Sequence, residues 1–135
     1  MFIDFDNYLL SSFSEDYWSD EGISFAEVKL CEFSNEDWLT INEEWRDRDY
    51  FWLIRCANVL GDFNDSKSME LLINFLSVDN VEVQIAVLDS INSLLSMGMI
   101  NKDFDMDLIG KVKKIESSSI VVNAMLNSLN NKLKK

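Results

Sequence analysis

The stretch from Asp65 to Gly98, DSKSMELLINFLSVDNVEVQIAVLDSINSLLSMG, reads as one complete helix-turn-helix unit with similar material on either side. A unit that shares its apolar faces with neighbours belongs to a stacked helical array. Asp65 or Ser66 can cap the first helix, which carries Met69, Leu72, Ile73 and Leu76 at three-to-four-residue spacing and so forms one apolar stripe. Val78-Asp79-Asn80 breaks the pattern, and Asp79 with Glu82 three residues on has the signature of a capping box for a second helix. Val83, Ala86, Val87, Ile91, Leu94 and Leu95 line that second helix, and Gly98 stands where a left-handed cap would end it.

The unit recurs. Leu53, Ala57, Leu60 and Phe63 precede Val87, Ile91, Leu94 and Met97 by a constant 34 residues, so the helix closing in Leu60-Gly61-Asp62 is an earlier second helix. Downstream, Leu108, Ile109, Val112 and Ile115 form a first stripe. A Glu116-Ser117-Ser118-Ser119 turn follows, and Val121, Ala124, Met125, Leu129 and Leu133 form the second stripe. These paired helices, the turn Asp79-Asn80-Val81-Glu82-Val83 and the Ala-x-x-Leu-Gly-Asp close from Ala57 to Asp62 resemble the HEAT-repeat family. The resemblance covers about the last two-thirds of the chain and implies an all-α fold of paired helices.

The region before the repeats has its own plan. Phe5, Leu9, Leu10 and Phe13 suggest a leading helix. Ser24 with Glu27 forms a capping box for a helix burying Phe25, Val28 and Cys31, and Ser34 with Asp37 caps one carrying Trp38, Leu39, Ile41 and Trp45. The expectation is therefore a single all-α domain over 1–135 of about eight helices: an acidic helical cap over 1–48, covering the open end of HEAT-like repeats over 49–135. The absence of proline and the four glycines agree with helices joined by short polar turns. No stretch approaches the roughly 20 apolar residues of a membrane span, and MFIDFDNYLL lacks the basic start of a signal peptide, so a soluble, cytoplasmic protein is expected. Cys31 and Cys56 lack metal or redox spacing and read as two reduced core thiols.

Charge is distributed unevenly. Fourteen carboxylates stand against three bases up to Tyr50, so −11 of the net charge of −12 belongs to the N-terminal region, whose potential would steer a cationic partner and repel phosphate backbones. Nucleic-acid binding is disfavoured. Aromatics are mixed with these acids. Glu15-Asp16-Tyr17-Trp18-Ser19-Asp20-Glu21 places a Tyr-Trp pair where no helical stripe absorbs it, so one or both are expected at the surface, as interface anchors. Around Trp45-Arg46-Asp47-Arg48-Asp49-Tyr50-Phe51-Trp52 one helix face cannot bury every ring. Trp38 and Trp45 are expected to wedge the cap onto the first repeat, leaving Tyr50 as a further surface candidate.

Catalytic chemistry finds little purchase. The chain has no histidine, which removes Ser-His, Cys-His and His-metal arrangements, and it has no glycine-rich phosphate loop. Asp103, Asp105 and Asp107 lack the glycine and terminal glutamate of a calcium loop and read instead as the acidic first turn of a helix. No cofactor, metal or catalytic residue is assigned.

In size, acidity and helical repeat plan the chain resembles the small immunity proteins that bacteria make against polymorphic or contact-dependent growth-inhibition toxins. That resemblance implies a non-enzymatic inhibitor, a monomer forming a 1:1 complex with a basic toxin. The toxin is expected to be a ribonuclease, whose cationic cleft the acids would cover. The expected partner-binding residues are Tyr17 and Trp18 as anchors, with Asp16, Asp20, Glu21, Glu43, Glu44, Asp47 and Asp49 supplying charge. The second helices around Gln84 and Asp89 are the next surface to consider. A HEAT-type adaptor in an endogenous complex is the alternative.

Overall fold

The computed structural model describes the backbone of residues 1–98, 102–115 and 117–133, and the side chains of these except 102–107, 132 and 133. Every regular element among them is helical. Helix α1 is Phe2–Leu9. Helix α2 covers residues 15–31 as one continuous rod, α-helical at Glu15–Tyr17 and Ile23–Cys31 with a π-helical turn at Trp18–Gly22 between. Helix α3 is Asn35–Glu44, followed by a 3-10 turn at Trp45–Asp47. Then come α4 (Tyr50–Leu60), α5 (Ser66–Phe75), α6 (Val81–Ser96), α7 (Lys102–Lys113) and α8 (Ile120–Leu133).

The helices stack in two layers. In one, α2 packs on α4, α4 on α6 and α6 on α8. In the other, α1 meets α3 and α5 meets α7, while turns bring α1 against α2, α4 against α5, α5 against α6 and α7 against α8. The 34-residue recurrence is visible in the core for three of its four pairs: Leu53 and Val87, Ala57 and Ile91, and Leu60 and Leu94 are all buried at equivalent places on α4 and α6, whereas Phe63 is partly buried and Met97 is exposed. Met69, Leu72, Ile73 and Leu76 are likewise buried as the α5 stripe. Among the described residues no helix is long and apolar enough to cross a membrane.

Several starts and stops follow local chemistry. The Ser34–Asp37 capping box forms: Ser34 Oγ accepts from the Asp37 backbone N–H at 3.2 Å, and Asp37 Oδ2 accepts from that of Ser34 at 3.0 Å. Asp37 also accepts from the Phe2 N–H at 2.9 Å, which ties the start of α1 to that of α3. Asp65 rather than Ser66 caps α5. Gly98 closes α6 at a φ of 89°.

Other expectations are corrected. Ser24 lies in the middle of α2 and opens nothing, because Ser14 caps that rod by accepting from the Tyr17 N–H at 3.1 Å. The buried face is Trp18, Gly22, Ala26 and Leu30, which leaves Phe25, Val28 and Cys31 exposed. Asn80, not Asp79, caps α6. On α8 the buried stripe is Val122, Leu126 and Leu129, one residue out of phase with Val121 and Met125. Helix α1 stops at Leu9, leaving Leu10 exposed and Phe13 packed in the connection. The side chains of Asp103, Asp105, Asp107, Lys132 and Leu133, and the whole of Glu116, Lys134 and Lys135, lie outside the described residues.

The two central helices approach closely because their crossing is built from small residues. A Cβ on Gly61 would stand 2.7 Å from Ser90 Cβ and 2.9 Å from its Cα, while Ser90 Oγ donates to the Ala57 carbonyl at 2.6 Å. Large rings fill the space on the other side. Trp38 stacks on Phe63 and Trp45 packs on Phe75, so these two tryptophans wedge the N-terminal helices onto the rest as expected, while Trp52 is fully enclosed.

Candidate functional site

The sequence-predicted acids fall on two elements. Asp16, Asp20 and Glu21 are exposed on the first turns of α2. Glu43, Glu44, Asp47 and Asp49 are exposed at the α3–α4 junction. Two of the second group already have internal duties. Asp49 caps α4 by accepting from the Trp52 N–H at 2.9 Å, and Glu44 accepts from Arg48 Nη2 at 3.1 Å.

The expected aromatic anchors are drawn inward. Trp18 is only 7% exposed, and Tyr17 is half-buried with its hydroxyl 3.2 Å from that of Tyr8. Burial and this hydroxyl pairing push the Tyr8 phenol up. The π turn explains the change for Trp18. In a regular α-helix Trp18 and Ala26, eight residues apart, would lie about 80° apart around the axis, but one residue absorbed in a wide turn brings them onto a common face. Gly22 makes room for the ring, since a Cβ there would meet Trp18 Cε3 at 2.6 Å. Tyr50 and Phe51 on α4 are the rings left more than half exposed near this junction.

The layer of even-numbered helices carries a surface that the acid-rich segments did not point to. A groove of about 480 Å³ runs over α4, α6 and α8, walled by Ile54, Ile85, Ala86, Val121 and Met125, with Asn58 at its side and Glu82 and Asp89 supplying charge. A smaller depression of about 160 Å³ continues it toward α2 past Ile23, Asn58, Asp62 and Asp89. A third hollow of about 300 Å³, between α2 and α4, shares Ile54 and Asn58 with the groove. Asn58 lines all three, so they form one continuous relief.

Its electrostatics are those of crowded carboxylates. Partial burial raises the pKa of Glu27, and the charge of Asp62 raises it further. Burial raises Asp62 in the same way, with Asp89 adding to the effect. No ion pair among the described residues involves any of the three. Chemically, such a face offers strong acceptors to ammonium or guanidinium groups and apolar walls to their stems. Among the described residues, no group of three or more carboxylates or thiols is placed to hold a metal ion.

Asp89 therefore lines the groove, whereas Gln84 is buried on another face, beside a cavity of about 520 Å³ between the α5–α6 turn and α7 that also includes Lys111 and Lys114. In the sequence, Glu27 and Asp62 read as helix punctuation. The sequence signal that marks this face is subtler: Ile54 and Ile85 are apolar residues that stand off the core stripes of their helices, so they turn toward the surface. Compared with known proteins, the chain matches no family model, no curated protein and no solved structure.

Proposed function

We propose that this protein is a stoichiometric binder of a basic protein, built on a HEAT-like repeat plan, and that its role is that of an immunity protein covering the cationic cleft of a toxin such as a ribonuclease. The observation that carries the reading is the face of α2, α4, α6 and α8, where Glu27, Asp62 and Asp89 repel one another beside an apolar groove. A lysine or arginine from a partner relieves that repulsion and lays its stem on Ile54, Ile85 and Met125. Asp16, Asp20 and Glu21 at the start of α2 extend the same negative field and contribute to capture at long range. The chemistry is binding alone, with no catalytic group and no cofactor.

The test is surface plasmon resonance against the basic toxin domain encoded beside this protein, together with survival of cells that express it. Charges are screened beyond about 8 Å at physiological salt, so association should slow as salt rises while dissociation changes less. Asp62→Asn with Asp89→Asn should speed release, and neutralising Asp16, Asp20 and Glu21 together should mainly slow association. Salt-insensitive binding, or full protection of cells by both variants, overturns the reading.

A further inference from the structure

The hollow between the start of α2 and the middle of α4 holds a cation that no ion pair among the described residues neutralises. Arg55 is 5% exposed, yet no ion pair among the described residues includes it. Its Nη1 donates to the Leu9 carbonyl at 2.8 Å and to that of Ser11 at 2.6 Å, closing the end of α1. Nε and Nη2 have no acceptor among the described residues. The guanidinium lies 4.1 Å from the Phe51 ring centre, 5.1 Å from that of Phe13 and 5.2 Å from that of Trp18. Trp18 lines the same hollow, and its buried Nε1 has no hydrogen-bond partner among the described residues.

An arginine presents five N–H donors in a planar fork, and the two carbonyls occupy one nitrogen only. The unused edge, Nε with Nη2, has the geometry that takes both oxygens of a carboxylate. A cation enclosed by rings gains more from an anion than one in water would, because the surroundings do little to screen the attraction. The space of about 300 Å³ is at the lower end of ordinary small-ligand sites, and Phe13, Phe51 and Ile54 make its walls apolar.

We propose that this hollow is a binding site for a carboxylate on an apolar stem, its oxygens on Nε and Nη2 of Arg55 and its stem between Phe51 and Ile54. Either a free small acid or the C-terminal carboxylate of a chain ending in an apolar residue carries that chemistry. Glu15 stands on the rim and opposes the incoming charge, which restricts entry to ligands that reach the guanidinium itself. The site is independent of the basic-partner reading, since it selects the opposite charge.

Four probes, titrated at constant ionic strength and followed by tryptophan fluorescence and melting temperature, test it. They are 3-phenylpropionate, its neutral amide, and a hexapeptide ending in phenylalanine with a free or an amidated C-terminus. Saturable binding of either carboxylate, with its amide at least tenfold weaker, supports the site, and the probe that binds identifies the source. Glu15→Gln, on the exposed rim, should tighten the carboxylate several-fold, and Phe51→Ala, also at an exposed position, should weaken it. Arg55→Lys should lose at least tenfold by removing the fork. If that variant does not fold, the two rim variants still decide the matter. Equal binding of acid and amide, no saturable binding at millimolar concentration, or a Glu15→Gln variant that binds no better overturns the proposal.

Discussion

Arg48 grips Asp6 with a two-pronged pair: Nε and Nη2 lie 2.8 Å from the two carboxylate oxygens across forty-two residues of chain, and Trp52 Nε1 donates to the same carboxylate at 2.9 Å. Both charged side chains are less than a fifth exposed. The pair holds Arg48 above its ordinary pKa and fixes α1 against the entry to α4, so one of the few bases in the acidic region is committed internally.

Asp6→Ala should therefore cost about 3 kcal/mol, because it leaves an enclosed guanidinium and an indole N–H without their acceptor. Asp6→Asn should cost less, since an amide oxygen can still accept from Trp52. Urea denaturation of the two variants checks the order.

The Gly61–Ser90 contact separates two glycines that look alike in sequence. Gly61→Ala should destabilise by about 1–3 kcal/mol, since the new methyl group meets the α6 backbone. Gly110→Ala, in α7 with open space around it, should stabilise by about 0.5–1 kcal/mol through helix propensity. Paired thermal melts distinguish them.

Acidity should first stabilise the fold and then undo it. Glu27 and Asp62 are raised above 4.5 and 3.8, so the folded chain holds more protons than the unfolded one between those values and the raised ones. Their stabilising contribution is complete below the ordinary values and is lost as pH rises through the folded ones. Asp37 works the other way. Hydrogen bonds from the Ser34 and Phe2 N–H groups lower it, so its contribution is present above 3.8 and disappears as pH falls through the folded value. The melting temperature should rise as the pH falls from 7 toward the ordinary values of 4.5 and 3.8, and fall again once the pH drops below 3.8 and Asp37 takes up its proton. Asp62→Asn should raise the melting temperature at pH 7 and flatten the rise, more than Asp16→Asn, which removes the same charge from an exposed position.

The two thiols should differ in reactivity. Cys31, expected in the core, is exposed on α2, whereas Cys56 is fully enclosed and burial pushes its thiol up. One equivalent of a thiol reagent should label the folded protein quickly, and the second only on unfolding. With both thiols free, dithiothreitol should leave the melting temperature unchanged.

What the sequence reveals best is what repeats. The α4 and α6 stripes were legible because the same spacing recurs after 34 residues and both copies are buried, as Leu53 with Val87 and Ala57 with Ile91 show. Capping was readable where a box closes on itself, as at Ser34 and Asp37, and misread where two residues compete for one role. Asn80 displaced Asp79, and Ser14 made Ser24 redundant. The surface was less legible. Net charge identified acidic segments but not which carboxylates face one another, because Glu27, Asp62 and Asp89 lie on or beside three different helices and meet only after those helices pack. Arg55 gave no signal at all, since its acceptors are backbone carbonyls.

The wide turn at Trp18–Gly22 makes α2 a rod with one residue to spare. Removing Ser19 or Asp20 would shorten the path from Trp18 to Ala26 to seven residues, which a regular α-helix spans in about two full turns. Trp18 would keep its place against the core. The same deletion between Ala26 and Leu30 would swing everything on one side of the cut by about 100° and expose one of them. The start of α2, which carries Glu15 and Asp16 to the surface, can therefore change length in evolution or by design without dislodging the helix behind it.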